Sequence, residues 1–263
     1  MTTASPDAPA TRRHRGTRLS RTIWVGAGIC WVVIAAITFA GGVGLGHHDV
    51  ALEQSGPAWP LRISAFTSVW LVMVGAMMLP TAVPMLELFW AVSARQARPA
   101  LGRAAVVISY FAVWIAFAVL ALAGDAAVHV LVDSWSWLAA RPGLVLGGTL
   151  VLAGGFQFSK LKKACLTACR SPMSLLWEHY RRGPGGAWAL GMRHALLCLG
   201  CCWALMLVMF ATGTGSLGWM LLLTAVMVAE KTTSWGARLV TPVGVALITG
   251  GLAVSLTALV ATT

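Results

Sequence analysis

Charge is scarce in this chain. Only 10% of its 263 residues are Asp, Glu, Lys or Arg, and 8 acidic residues stand against 19 basic ones. With 58% apolar residues and a mean hydropathy of +0.80, so little charge excludes a soluble globular domain and leaves a polytopic membrane protein. No nucleotide-binding motif is present, so any transport is passive, coupled to an ion gradient, or assisted by a partner. No RNA- or DNA-binding motif accompanies the net charge of +11. That charge therefore reads as membrane orientation and contact with anionic lipid heads, with no nucleic-acid partner. A Cys-x-x-Cys-His haem-attachment motif is missing as well. Without a long linker, a soluble domain or a clear internal repeat, one domain is the economical reading.

Seven apolar runs, at about residues 22–45, 63–92, 101–123, 143–160, 189–211, 217–235 and 239–261, are long enough, or nearly so, to cross about 30 Å of hydrocarbon at about 1.5 Å per residue. The predicted fold is all-α, with about seven transmembrane helices. The first run is long for a signal-peptide core and lacks a convincing cleavage site, so it reads as a retained anchor. Residues 1–20 form a basic cytoplasmic tail, too polar to bury surface and disordered apart from lipid contact, ahead of a single helical domain at 21–263. With the N-terminus inside, 17 of the 19 Lys and Arg residues fall on the cytoplasmic side, and only Arg62 and Arg141 fall outside. This bias predicts an inner-membrane, multi-pass protein with its N-terminus in and C-terminus out. The longest inside connection runs from Lys160 to Arg193. Its Trp177, Tyr180, Arg181 and Arg182 predict an interfacial helix between spans four and five, and Gly183-Pro-Gly-Gly186 the turn back into the membrane.

Cysteine is sparse too, with six in all, and none lies in an outside loop, which argues against a secreted-type disulfide framework. Three of the six crowd into one span. His194, Cys198, Cys201, Cys202 and Met209 fall within an arc of roughly 100° on one helix face, with Met206 just beyond it. Leu and Val would pack such a helix as well, so a dense run of Cys, Met and His points to a soft ion. Cys165 and Cys169 lie one helical turn apart after the fourth span, near the start of that stripe. Span two adds Met77, Met78 and Met85 around Pro80 and Pro84, two prolines that free backbone carbonyls and distort the helix. Span six ends in Glu230-Lys231, read as an interfacial ion pair whose partners come from residues such as Arg193 or Glu87. Buried thiolates need a bound cation, or Arg170 and Arg193 nearby, to offset their charge. Outside, His47, His48 and Asp49 offer an entry site for metal, as do Asp125 and His129 at i,i+4 spacing, although polar residues there also serve simply to keep the loops in water.

The strings AMMLPTAVPM (76–85), LKKACLTACRSP (161–172) and HALLCLGCCWALM (194–206), followed by EK at 230–231, resemble a bacterial family of predicted metal-binding integral membrane proteins, a domain of unknown function. The resemblance runs from about residue 63 to 235, and three separated motifs in order carry it. It implies a multispanning inner-membrane protein with a metal site drawn from Cys165, Cys169, His194, Cys198, Cys201 and Cys202.

Thiolates and thioethers with one imidazole favour copper as Cu(I), with zinc second. The leading reading is thus soft-metal handling or transfer at the cytoplasmic half of the membrane, without enzymatic turnover, with membrane lipids and a metallochaperone or partner membrane protein as partners. Two alternatives stand beside it: a membrane thiol-disulfide oxidoreductase, and a non-catalytic partner subunit whose Cys and Met side chains only pack.

Overall fold

The computed structural model describes residues 8–39, 59–212 and 216–260. All its regular elements are helices, and no strand occurs among the described residues. The outer-loop His47, His48, Asp49 and Glu53 lie outside that set. The first helix, α1 (Ala8–Phe39), is apolar enough to cross a membrane from Leu19 onward. The second apolar run is broken in two: α2 (Trp59–Met77) and α3 (Leu79–Ser93) meet at a bend of 69°. Pro80, in the first turn of α3, has no N–H to continue the helix, and its ring collides with the carbonyl one turn back. The bend leaves Met78 at the corner, where its carbonyl accepts from the Thr81 hydroxyl at 2.8 Å.

Helix α4 (Pro99–Ser134) begins on a proline suited to a first turn and is followed by the single turn α5 (Ser136–Ala139). The fourth run again splits, into α6 (Gly143–Gln157) and α7 (Lys160–Arg170), bent by 63°. Ser159 caps α7 by accepting the Lys162 N–H at 3.0 Å. Pro172 then forces Ser171 out of helical geometry and starts the short α8 (Pro172–His179). Gly183, at φ +90, makes the left-handed turn into α9 (Pro184–Thr212). Last come α10 (Leu217–Thr232) and α11 (Gly236–Val260).

Among the described residues, four helices (α1 from Leu19, α4, α9 and α11) are long and apolar enough to cross a membrane, and up to six spans result if each bent pair counts as one. The one predicted run outside these six is the sixth, α10, only 16 residues long. Among the four, α9 is the most buried and α1 and α11 the least. It packs against α4, α6, α7 and α10, which places the predicted stripe at the centre of the molecule. Helices α6 and α11 lie in close contact along glycines, while Trp70 and Trp114 clamp α2 to α4 through a 3.0 Å bond from the Trp70 indole N–H to the Trp114 carbonyl.

Candidate metal centre

Every stripe residue of α9 is buried: His194, Cys198, Cys201, Cys202, Met206 and Met209 are each less than 5% exposed. The bend between α2 and α3 and three other helices bring polar or sulfur-bearing groups to this face. From the bend of α2 and α3 comes the Met78 thioether, 4.0 Å from Cys202 Sγ. From α4 comes the Tyr110 hydroxyl, 3.2 Å from Cys198 Sγ, with the Tyr110 ring stacked on His194 at 5.8 Å between centroids. From the last turn of α10 comes Lys231, whose Nζ donates to Cys198 Sγ at 3.1 Å and lies 3.8 Å from Cys202 Sγ and 3.9 Å from Met78 Sδ. From α7 comes Cys169, which lies near Cys201.

All six cysteines are free thiols. Cys201 and Cys202 both donate to the Cys198 carbonyl, at 3.0 and 2.9 Å, a local use of spare S–H groups one helical turn on. Both ring nitrogens of His194 are buried without a hydrogen-bond partner. An imidazole carries a donor and an acceptor, so leaving both unmet in a core costs free energy that a ligand would recover. Among the described residues, no three His, Cys, Asp or Glu side chains form a group able to hold a metal ion by themselves. The sulfur ring around Lys231 is completed by a thioether.

The other predicted residues fall around this centre. Cys165 packs beside α9 where Gly200 has no side chain; a methyl group there would stand 2.7 Å from its Sγ. Met77 and Met85 are core side chains of α2 and α3 and, like Met206 and Met209, belong to the continuous apolar core. Cys30 lies against Gly75, on α1 and α2.

Two expectations are corrected. Glu230 pairs with Lys162 of α7 at 2.6 Å, both residues being almost wholly buried, and with neither Arg193 nor Glu87. The pairing follows from the bend after α6, which swings the first turn of α7 under the end of α10. Nor do Arg170 and Arg193 face the thiols. Arg170 donates to the Glu230 carbonyl at 2.5 Å and the Ser234 carbonyl at 3.3 Å, while Arg193 lines a separate cavity of about 630 Å³ with Lys160, Lys163 and His179. The cation at the sulfur is Lys231. Asp125 and His129 do meet on one helix face, at 3.5 Å.

Sequence reasoning missed Tyr110. Its signal was rarity, as one of only two tyrosines in the chain, set inside an apolar run where a hydroxyl needs a partner.

The chain is all-helical among its described residues, several of its helices are apolar enough to cross a membrane, and its central helix carries a buried cluster of thiols, thioethers and one imidazole. Residues 67–254 match the PpoB2 copper chaperones, and the chain is a member of that family. No curated protein and no solved structure matches it.

Proposed function

We propose that this protein is an integral membrane copper carrier that holds Cu(I) at the sulfur cluster of Cys198, Cys202 and Met78. His194, Cys201 and Cys169 form the adjoining ligands, and Cys165, Met77, Met85, Met206 and Met209 surround them. The observation that carries this reading is the convergence of two thiols and a thioether at one buried point, with the unpartnered imidazole of His194 one helical turn before Cys198, in a member of a copper-chaperone family. Thioether and thiolate donors are soft and suit Cu(I) better than zinc. Copper is the cargo: the chain's own part is to strip it of water, hold it in sulfur and release it to a partner protein.

In the membrane, the six candidate spans and α10 make seven crossings of the inner membrane, with residues 1–20 as a cytoplasmic tail, 21–263 as the helical domain and the C-terminus outside. This rests on the excess of Lys and Arg in alternate connections. Helix α8, with Trp177 and Met173 exposed and Leu175 and Leu176 buried, is the interfacial helix. The cluster then sits in the cytoplasmic half, since the last turn of α10, which carries Lys231, lies there.

Metal analysis of anaerobically purified protein tests the site. About one copper per chain is expected in the wild type, and loss of most of it in C198S/C202S. Full copper loading in that double variant would overturn the assignment.

A further inference from the structure

A buried ammonium needs a counter-charge, and the carboxylate next to Lys231 in sequence is already engaged, since Glu230 takes Lys162 at 2.6 Å. Lys231, 8% exposed, turns its charge into sulfur instead. Cys198 Sγ lies 3.1 Å from Nζ, Cys202 Sγ 3.8 Å and Met78 Sδ 3.9 Å. Soft donors from two parts of the chain thus surround one positive charge. The next thiol is used elsewhere: Cys201 donates to the Cys198 carbonyl at 3.0 Å.

We propose that Lys231 is a specificity-determining residue that sets this sulfur site for a monovalent soft cation and against a divalent one. The inference rests on the copper-site reading above and adds the rule by which the site selects its ion. Cys198 and Cys202 bind metal as thiolates and so contribute two negative charges. One Cu(I) and one ammonium bring that sum to zero. One Zn(II) and one ammonium leave a net positive charge buried among apolar helices, which is strongly unfavourable. Met78 is neutral and adds softness without changing the sum. Cu(I) and Zn(II) both have a filled d shell, so charge separates them here where d-electron geometry does not. The flexible four-carbon stem of lysine lets the ammonium withdraw from the centre of the sulfur ring as the metal enters, while it stays close enough to count.

Competition between the two ions tests this. Wild-type, Lys231→Met and Lys231→Arg proteins are loaded anaerobically in detergent with Cu(I) and Zn(II), buffered so that the wild type binds both measurably, and bound copper and zinc are counted. The zinc-to-copper ratio should rise roughly tenfold or more in Lys231→Met, and stay near the wild-type value in Lys231→Arg, which keeps the charge. A merely structural role would change the total metal bound and leave the ratio unmoved. A second measurement needs no variant: Ag(I) against Cd(II), a pair that again differs in charge at equal electron count, should show the wild type preferring silver. Equal uptake of silver and cadmium, or a Lys231→Met protein that loads copper at the wild-type ratio, overturns the selectivity rule and leaves the copper site standing. A wild type that takes up neither copper nor zinc under any buffering overturns the site, and the rule with it.

Discussion

Lys162 and Glu230 carry opposite charges into a place where neither is tolerated alone. Removing water from an ion costs several kcal/mol, and the 2.6 Å contact repays it only while both partners are present. Lys162→Met alone is therefore expected to destabilise the protein by about 3–5 kcal/mol, read as a fall in thermal midpoint in detergent. The double variant K162M/E230L should recover most of that loss, because two apolar side chains replace the pair. A double variant no more stable than the single one would show that the two residues do not act as a pair. The sequence announced that Glu230 needed a partner, since a carboxylate at the end of an apolar run is costly. It did not name Lys162, because that partner is set by the bend between α6 and α7 and not by any spacing. The same holds for Lys231 among the sulfurs: its charge at the end of an apolar run was legible, its meeting with Cys198 was not.

Helices here are shaped by where they break and by how closely they can approach. Pro80 and Pro172 were readable as interruptions, yet the angle that Pro80 imposes, and its effect of turning Met78 toward Cys202, emerge only when α2 and α3 each pack on their own neighbours. The stripe of α9 was fully legible, because one continuous helix keeps its 100° register and its buried face is the sulfur face. Glycine gives the sharpest test at this scale. On α6, a methyl group at Gly154 would stand 2.7 Å from the Gly244 carbonyl of α11, whereas one at Gly155 would meet nothing within 4 Å. Two neighbouring Gly→Ala changes should then have opposite signs. Gly154→Ala is expected to cost about 1–3 kcal/mol as the helices are pushed apart. Gly155→Ala should gain up to about 1 kcal/mol from helix propensity. Thermal unfolding of both variants in the same detergent measures the difference, and equal effects would mean that α6 and α11 do not pack this closely.

For the whole molecule, the arrangement is a central helix, α9, with sulfur on one face and partners delivered by a bent pair, a long helix, a short helix and the end of α10. Scarcity of charge made the apolar, all-helical character plain from composition alone, and the three motifs lie in the order the fold uses them. Distances between motifs were beyond reach, since Met78, Tyr110, Cys169 and Lys231 meet across separations of up to 153 residues. The central claim is that Cu(I) sits among Cys198, Cys202 and Met78. Copper X-ray absorption on the wild type and on Met78→Leu, a swap that keeps the volume and removes only the thioether, tests it most directly. The account predicts a copper shell of sulfur in the wild type and one sulfur neighbour fewer in Met78→Leu. A shell of nitrogen and oxygen, or one that Met78→Leu leaves unchanged, would contradict it.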